Sequence, residues 1–211
     1  MLTNQIGTDQ MMRTLIADRP DAAESEHLAL FGQLVGSWDV DMTAFDETGK
    51  PTSYLAEWHL GWILQGRALQ DVIITRSIGT GEIVGYGSTV RTFDPSRGLW
   101  WIVWQDPLAG EFAVLLAREE EDRIVLDGQW WVGQTGDSKG RFRWTFSDIR
   151  PDSFHWEAHL SADDGATWQL RETIEARRRP AGKPRSFRRT ERGRARLATR
   201  ATGPSRPRSP R

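Results

Sequence analysis

From Trp38 to Ala176 the sequence alternates apolar and polar residues with a period of two. That is the signature of strands with one buried face, and helices do not produce it. Ten segments carry the pattern: 37–45, 53–64, 67–77, 85–93, 99–106, 111–118, 123–132, 141–149, 153–161 and 167–176. Turn formers separate them, among them Asp46-Glu-Thr-Gly-Lys50, Gln65-Gly66, Gly79-Thr-Gly81, Asp94-Pro-Ser-Arg-Gly98 and Asp137-Ser-Lys-Gly140. Connections this short make consecutive strands antiparallel neighbours and leave no room for helical crossovers. A long run of such strands has one face to bury and two edges to protect, and closing into a ring does both. The expected fold is therefore mostly β: an up-and-down antiparallel barrel of about ten strands with one N-terminal helix.

The helix is read over 22–35. Asp21-Ala-Ala-Glu24 has the outline of a capping box, Leu28, Phe31, Leu34 and Val35 follow at helical spacing, and Gly36 ends the run. Residues 1–21 lack a sustained period and are expected to be a flexible arm, with 22–176 as the barrel domain and its leading helix. Beyond Ala176 the pattern stops. Residues 177–211 carry thirteen Arg, one Lys and one Glu, a charge of +13, against −14 for the rest of the chain. With only Phe187 and Leu197 as large apolar residues, this segment is expected to be a disordered Arg-rich tail. Contact between that tail and nucleic acid is the less favoured reading, since no aromatic residues alternate with its basic ones.

The 211-residue chain contains no cysteine, which excludes disulfides, thiolate metal sites and cysteine nucleophiles. It fits a reducing, cytoplasmic setting. No apolar run reaches the ~20 residues of a membrane helix. No secretory signal is readable at the start.

Trp is abundant, with eleven residues against two Tyr. In several strands the even positions are the apolar ones: Trp38, Val40 and Met42; Trp58, Leu60, Trp62 and Leu64; Phe112, Val114 and Leu116; Phe142, Trp144 and Phe146; Phe154, Trp156, Ala158 and Leu160. Placing the even set inside lines the barrel with indole and phenyl rings. A ring of about ten strands is wide enough to leave a ligand cavity. The candidate ligand-binding residues are Trp38, Trp58, Trp62, Trp104, Trp144 and Trp156. Trp100 to Trp104 form a strand apolar on both faces, so one face is expected to meet the helix or a second protomer, giving a homodimer.

The hairpin at Gln65-Gly66 leaves two registers open. A two-residue loop pairs Leu60 with Asp71 and puts Asp71 and Arg67 on the Trp58/Trp62 face. A three-residue loop makes His59 and Asp71 diagonal neighbours, within reach of a hydrogen bond. If the protein is an enzyme, His59 and Asp71 are the candidate acid–base pair, with Arg67 and His155 secondary. His155 and His159 stand four residues apart on a strand, about 13 Å, too far to share a metal, and no metal site is expected. Ser161-Ala-Asp163-Asp-Gly165-Ala-Thr167-Trp168 matches an Asp-box hairpin, read as structural.

Leu34-Val-Gly36-Ser-Trp38 places a G-x-W at the mouth of the first strand, directly after a helix. This resembles the opening of a lipocalin or calycin barrel. The segment Trp58–Asp71, Val90-Arg-Thr-Phe-Asp94-Pro95, Phe154-His155-Trp156 and the Ser161–Trp168 turn are similar to segments of an uncharacterised bacterial lipocalin-like family. The resemblance implies a barrel over about 25–177, with the tryptophan of the G-x-W closing its base. It also implies an Arg stacked on Trp38, for which Arg171 is the candidate. In the wider superfamily, binding of hydrophobic ligands is common; haem-binding nitrobindin-type barrels and cofactor-free enzymes are minorities. The nitrobindin opening pattern is missing here, so haem is not expected, nor any other cofactor. The leading function is binding of a small hydrophobic or aromatic molecule. The alternatives are a cofactor-independent lyase, isomerase or cyclase using the His59–Asp71 pair, and a non-catalytic homodimeric scaffold.

Overall fold

The computed structural model describes residues 2–132 and 137–180. Its elements are helix α1 (Leu2–Leu15), strand β1 (Ile16–Ala17), helix α2 (Ser25–Gly32) and ten long strands: β2 (Gly36–Phe45), β3 (Pro51–Ile63), β4 (Ala68–Ser77), β5 (Ile83–Asp94), β6 (Leu99–Asp106), β7 (Glu111–Glu120), β8 (Arg123–Val132), β9 (Asp137–Ser147), β10 (Ser153–Ser161) and β11 (Gln169–Arg178). Every long strand pairs antiparallel with its sequence neighbours. β11 returns to β2 through Ile174↔Met42 and Arg178↔Trp38, so the ring closes as an antiparallel ten-strand barrel. No helix among the described residues is long and apolar enough to cross a membrane.

The alternation sets the inside. Trp38, Val40, Ala56, Trp58, Leu60, Phe142, Trp144, Phe146, Phe154, Trp156, Ile174 and Ala176 form one continuous buried cluster. One strand departs from the expected parity. In β7 the odd residues Ala113, Leu115 and Ala117 are buried, whereas Phe112 is 44% exposed and Leu116 points outward. Size explains this. Ala117 lies opposite Trp100 and Ala113 opposite Trp104, so the small side chains leave room for two indoles. On β6, Trp100 and Ile102 point inward and Trp101 and Val103 outward into solvent. The helix thus meets the inward face of this strand, with Phe31 edge-on to Trp100 at 4.9 Å.

α2 and the turn after it plug one end of the barrel with Leu28, Phe31 and Leu34, all fully buried. It is shorter than the 22–35 expected, because Asp21 serves a different turn: its carboxylate accepts from the Ala23 N–H at 2.9 Å, and no side chain caps the helix. The stretch expected as a flexible arm carries regular structure. Residues 2–15 are helical, and Ile16 and Ala17 pair with Ile63 and Trp62. The chain then crosses Gly66, where any side chain would collide with the Arg19 and Pro20 backbone. Asp21 fixes the crossing through an N–H to Gly66 O bond of 3.0 Å and an ion pair with Arg67 at 2.6 Å.

The plugged end is locked by an arginine, but it is Arg178 and not Arg171. The Arg178 guanidinium stacks 4.1 Å from the Trp38 ring and donates to the carbonyls of Val35 (2.6 Å), Gln33 (2.9 Å) and Pro151. Trp38 itself donates its indole N–H to Leu34 O at 2.8 Å. Gly36 is bare because a Cβ there would occupy the space of this guanidinium. Arg179 adds ion pairs to Asp39 (2.7 Å) and Glu57 (3.0 Å). The domain therefore extends past the boundary read at 176: the composition turns basic while the strand is still running. Most of the proposed tail, 181–211, lies outside the described residues.

Two truncations separate these readings. A chain ending at residue 180 should melt within a degree or two of the full-length protein. A chain ending at 176 loses the stacked, charge-assisted clamp. At ~2–4 kcal/mol for such contacts and ~2–4 °C per kcal/mol for a domain of this size, it should melt several degrees lower by calorimetry.

Candidate functional site

A cavity of about 280 Å³ occupies the end of the barrel away from α2. Strand direction defines that end. The wall uses the late residues of β2, β4, β6 and β10 (Met42, Ala44, Ile73, Thr75, Trp104, Ala158) and the early residues of β3, β5, β9 and β11 (Tyr54, Gly85, Phe142, Arg171, Glu172). Val84 and Tyr86 line it while remaining about half exposed, so they form its mouth. Gly87 is what lets Trp104 into the wall, since a side chain there would overlap the indole.

Four of the six candidate tryptophans meet here. Trp58, Trp104, Trp144 and Trp156 line the cavity and contact one another: Trp104 and Trp144 edge-on at 5.8 Å, Trp144 and Trp156 tilted at 5.6 Å, Trp58 and Trp156 edge-on at 6.4 Å. Trp38 and Trp62 do not join them. Trp38 belongs to the clamp at the plugged end, and Trp62 packs against Gly32 of the helix.

The register at Gln65-Gly66 is the first of the two open alternatives, although the connection spans 64–67: Leu60 pairs with Asp71 and Trp62 with Leu69. Asp71 therefore points inward and His59 outward, so the two form no acid–base pair. His59 lies opposite Val72 and contacts Ser37 Oγ at 2.9 Å and Glu57 at 3.7 Å. Arg67 is on the surface with Asp21. His155 also faces outward, between Glu175 (2.8 Å) and Glu157 (3.2 Å). Partial burial lowers its pKa, but those hydrogen bonds and charges outweigh it, and the imidazole titrates above its ordinary value. His159 is held only loosely, 4.0 Å from Glu157. Among the described residues no group of three or more His, Asp or Glu side chains is placed to hold a metal. The Asp-box turn closes on itself: the Asp163 carboxylate accepts from Thr167 N–H (2.8 Å), Thr167 Oγ1 (2.6 Å) and Ser161 Oγ (2.8 Å). Those bonds hold its pKa down at about 2.

Two charged side chains of the interior, Arg91 and Glu172, escaped the reading of the sequence, and a third, Arg171, was expected on Trp38 instead. Arg91, on the inward face of β5, makes an ion pair with Asp71 at 2.6 Å, and both side chains are wholly buried. Asp71 also accepts from the Thr89 N–H at 2.8 Å, and the guanidinium lies 5.3 Å above the Phe31 ring. Glu172 and Arg171 are the others. Glu172 points inward in step with Ile174 and Ala176, while the bulge at Ala158/His159 turns Arg171 toward the cavity as well. No hydrogen bond or ion pair from the described residues reaches the Glu172 carboxyl. Burial, and next the charge of Glu111, push its pKa up to about 8.

No family model matches the sequence, and no curated protein matches it. Solved structures do. The chain is similar to Rv2717c from M. tuberculosis, at 19% identity and a TM-score of 0.57, over 73% of this chain and 98% of that one. It is also similar to the S-type phycobiliprotein lyase CPES from Guillardia theta, at 12% identity and a TM-score of 0.51, over 77% and 99%. At these identities the likeness establishes the shared barrel fold.

The two interior charges give opposite expectations. Asp71→Ala strands a buried guanidinium and should cost ~3–5 kcal/mol in denaturant unfolding, whereas Asp71→Leu with Arg91→Met should recover most of that. Glu172 is protonated in the folded state up to a pH well above its ordinary 4.5. A raised carboxyl pKa means its contribution is complete below 4.5 and is lost as pH rises through about 8. The wild type should lose stability across that window, and Glu172→Gln should flatten the loss.

Proposed function

We propose that the barrel binds a small, flat, largely apolar molecule in the cavity opposite the α2 plug. The observation that carries this reading is the cavity itself: about 280 Å³ at the lip-lined end of the barrel, walled by Trp58, Trp104, Trp144, Trp156, Phe142 and Ile73. Small-molecule sites typically run from about 300 to 1,000 Å³, with apolar and aromatic walls and a few polar groups that orient the guest. This one sits at the lower edge of that range, which favours a compact ring system over a long acyl chain. Indole walls suit such a guest because they offer large rigid faces for stacking at little entropic cost. The barrels of similar fold support the architecture and do not bear on the ligand.

The catalytic alternative loses its proposed acid–base pair, because His59 and Asp71 lie on opposite faces of the barrel wall. The scaffold alternative has an exposed outer patch at Trp101, Val103, Phe112 and Leu116, but it leaves the cavity unexplained.

Titration of the full chain with neutral naphthalene derivatives should quench Trp fluorescence saturably. Trp144→Leu should weaken binding about tenfold, the equivalent of ~1.4 kcal/mol. Trp101→Leu on the outer face and His59→Ala should leave the dissociation constant within a factor of two. Quenching that never saturates, or equal losses in Trp144→Leu and Trp101→Leu, would rule the cavity out as the binding site.

A further inference from the structure

The interior holds one charge that is balanced and one that is not. Arg91, which lines the cavity, and Asp71 neutralise each other at 2.6 Å. Glu172 projects into the cavity, and among the described residues no side chain of opposite sign is hydrogen-bonded or ion-paired to it. Its surroundings can be followed element by element. From β2 and β10 it is faced by Ala44 and Ala158, its cross-strand neighbours, which carry no charge. β7 contributes Glu111 and β6 contributes Asp106, both lining the same cavity. Asp106 is committed to the backbone, accepting from Leu108 (2.8 Å) and Ala109 (3.1 Å) at one oxygen and from Tyr86 (3.3 Å) at the other. β3 and β5 contribute the phenols Tyr54 and Tyr86. On β11 itself Arg171 is the next residue, and its charge acts on Asp46 at the rim of the barrel. Among the described residues, the cations lining this space are Arg91, already paired with Asp71, and Arg171, which also acts on Asp46 at the rim.

An uncompensated carboxyl in an apolar pocket is costly, and proteins relieve the cost by protonating it or by supplying a cation. The walls around Glu172 are suited to a cation as well, because indole and phenol faces carry negative quadrupoles that attract it. Building on the cavity-binding reading above, we propose that the guest carries a basic nitrogen on a flat apolar body, with Glu172 as its counter-charge and the surrounding tryptophans as its cage. The indole N–H groups of Trp58, Trp144 and Trp156 find no acceptor among the described residues and can donate to a polar atom of the guest, but a full negative charge would face the carboxyls of Glu111, Asp106 and Glu172. A neutral guest would leave Glu172 protonated and unused. When a cationic guest seats against Glu172, the carboxyl gives up its proton to solvent, so the affinity for cations rises with pH across the neutral range while the guest itself stays protonated.

The test uses the full chain and three probes of one shape: 1-naphthylmethylamine, 1-naphthylmethanol and 1-naphthoate. Affinities come from Trp quenching and calorimetry between pH 6 and 8.5. The amine should bind about tenfold tighter than the alcohol at pH 8, with that ratio shrinking toward pH 6, and the carboxylate should bind weakest. Calorimetry in buffers of different ionisation enthalpy should record proton release on amine binding and none with the alcohol. In Glu172→Gln the amine-to-alcohol ratio should fall toward one; Glu172→Asp, which keeps the charge, should retain part of it and guards against a variant that fails to fold. The proposal is overturned if the amine shows no advantage, if the carboxylate binds best, or if the advantage survives Glu172→Gln. If the alcohol binds saturably while any of these holds, the cavity reading stands and only the assignment of charge falls. If none of the three probes binds, both fall.

Discussion

The contact between Arg178 and Trp38 determines what every other inward-facing residue can be. A barrel of sequential strands is closed by pairing its last strand with its first, and that pair spans more than 130 residues of chain with no turn to set its register. Here the register is set by chemistry at one end. Trp38 is pinned to the turn after α2 by its own N–H, and Arg178 lies on the indole while holding the carbonyls of Gln33 and Val35. A slip of one residue between β11 and β2 would turn Ile174 and Ala176 outward, together with Glu172. It would also strip the guanidinium from its ring.

Arg91–Asp71 and Glu172 show two solutions to the same electrostatic problem. A buried ion pair with good geometry roughly breaks even against apolar packing. Diagonal placement across β4 and β5, with Asp71 opposite Thr89 and Arg91 opposite Leu69, brings the two charges to 2.6 Å without distorting the ladder, while the guanidinium nitrogens find no well-directed hydrogen bond among the described residues. Glu172 has no such neighbour, because Ala44 and Ala158 flank it. Its position is one where a protein bears a standing cost, and such positions cluster at sites that meet ligands.

The barrel was legible in the sequence because the information lies in short-range patterning: alternation, turn chemistry and the G-x-W after a helix. The lining was legible where large rings occupied one parity, as in β3, β9 and β10. It was misread in β7, whose run Phe112-Ala-Val-Leu-Leu-Ala117 is apolar throughout, so hydrophobicity could not choose a face. Volume chose it, since only Ala113 and Ala117 fit opposite Trp104 and Trp100. Arg91 was missed because the inward set of β5 is Gly87, Thr89 and Arg91, which has no apolar signature. The signal was present in the hairpin centred on Gly79–Gly81, which brings Thr89 opposite Asp71 and Arg91 one diagonal step away. Glu172 was also readable, as the acid two residues before Ile174 and four before Ala176 on the inward parity. The boundary at 176 failed for a different reason. Composition marks where a chain stops resembling a core, and a strand that ends in a clamp stops resembling one before it stops being structure.

Why the cavity lies at one end follows from lengths. An eight-residue helix spans about 12 Å, whereas a ten-residue strand spans about 33 Å. Tilted at the ~40° usual for barrels, such strands still enclose a tube about twice as tall as the plug. Leu28, Phe31 and Leu34 therefore fill only one end, and Phe146, Phe154 and Trp58 pack the middle. What is left is the far end, where Gly85 and Gly87 hold no side chain over the space and Ala44 and Ala158 hold small ones. At that open end Glu172 has no ion-pair partner among the described residues, whereas the buried Asp71 carboxyl is matched by Arg91.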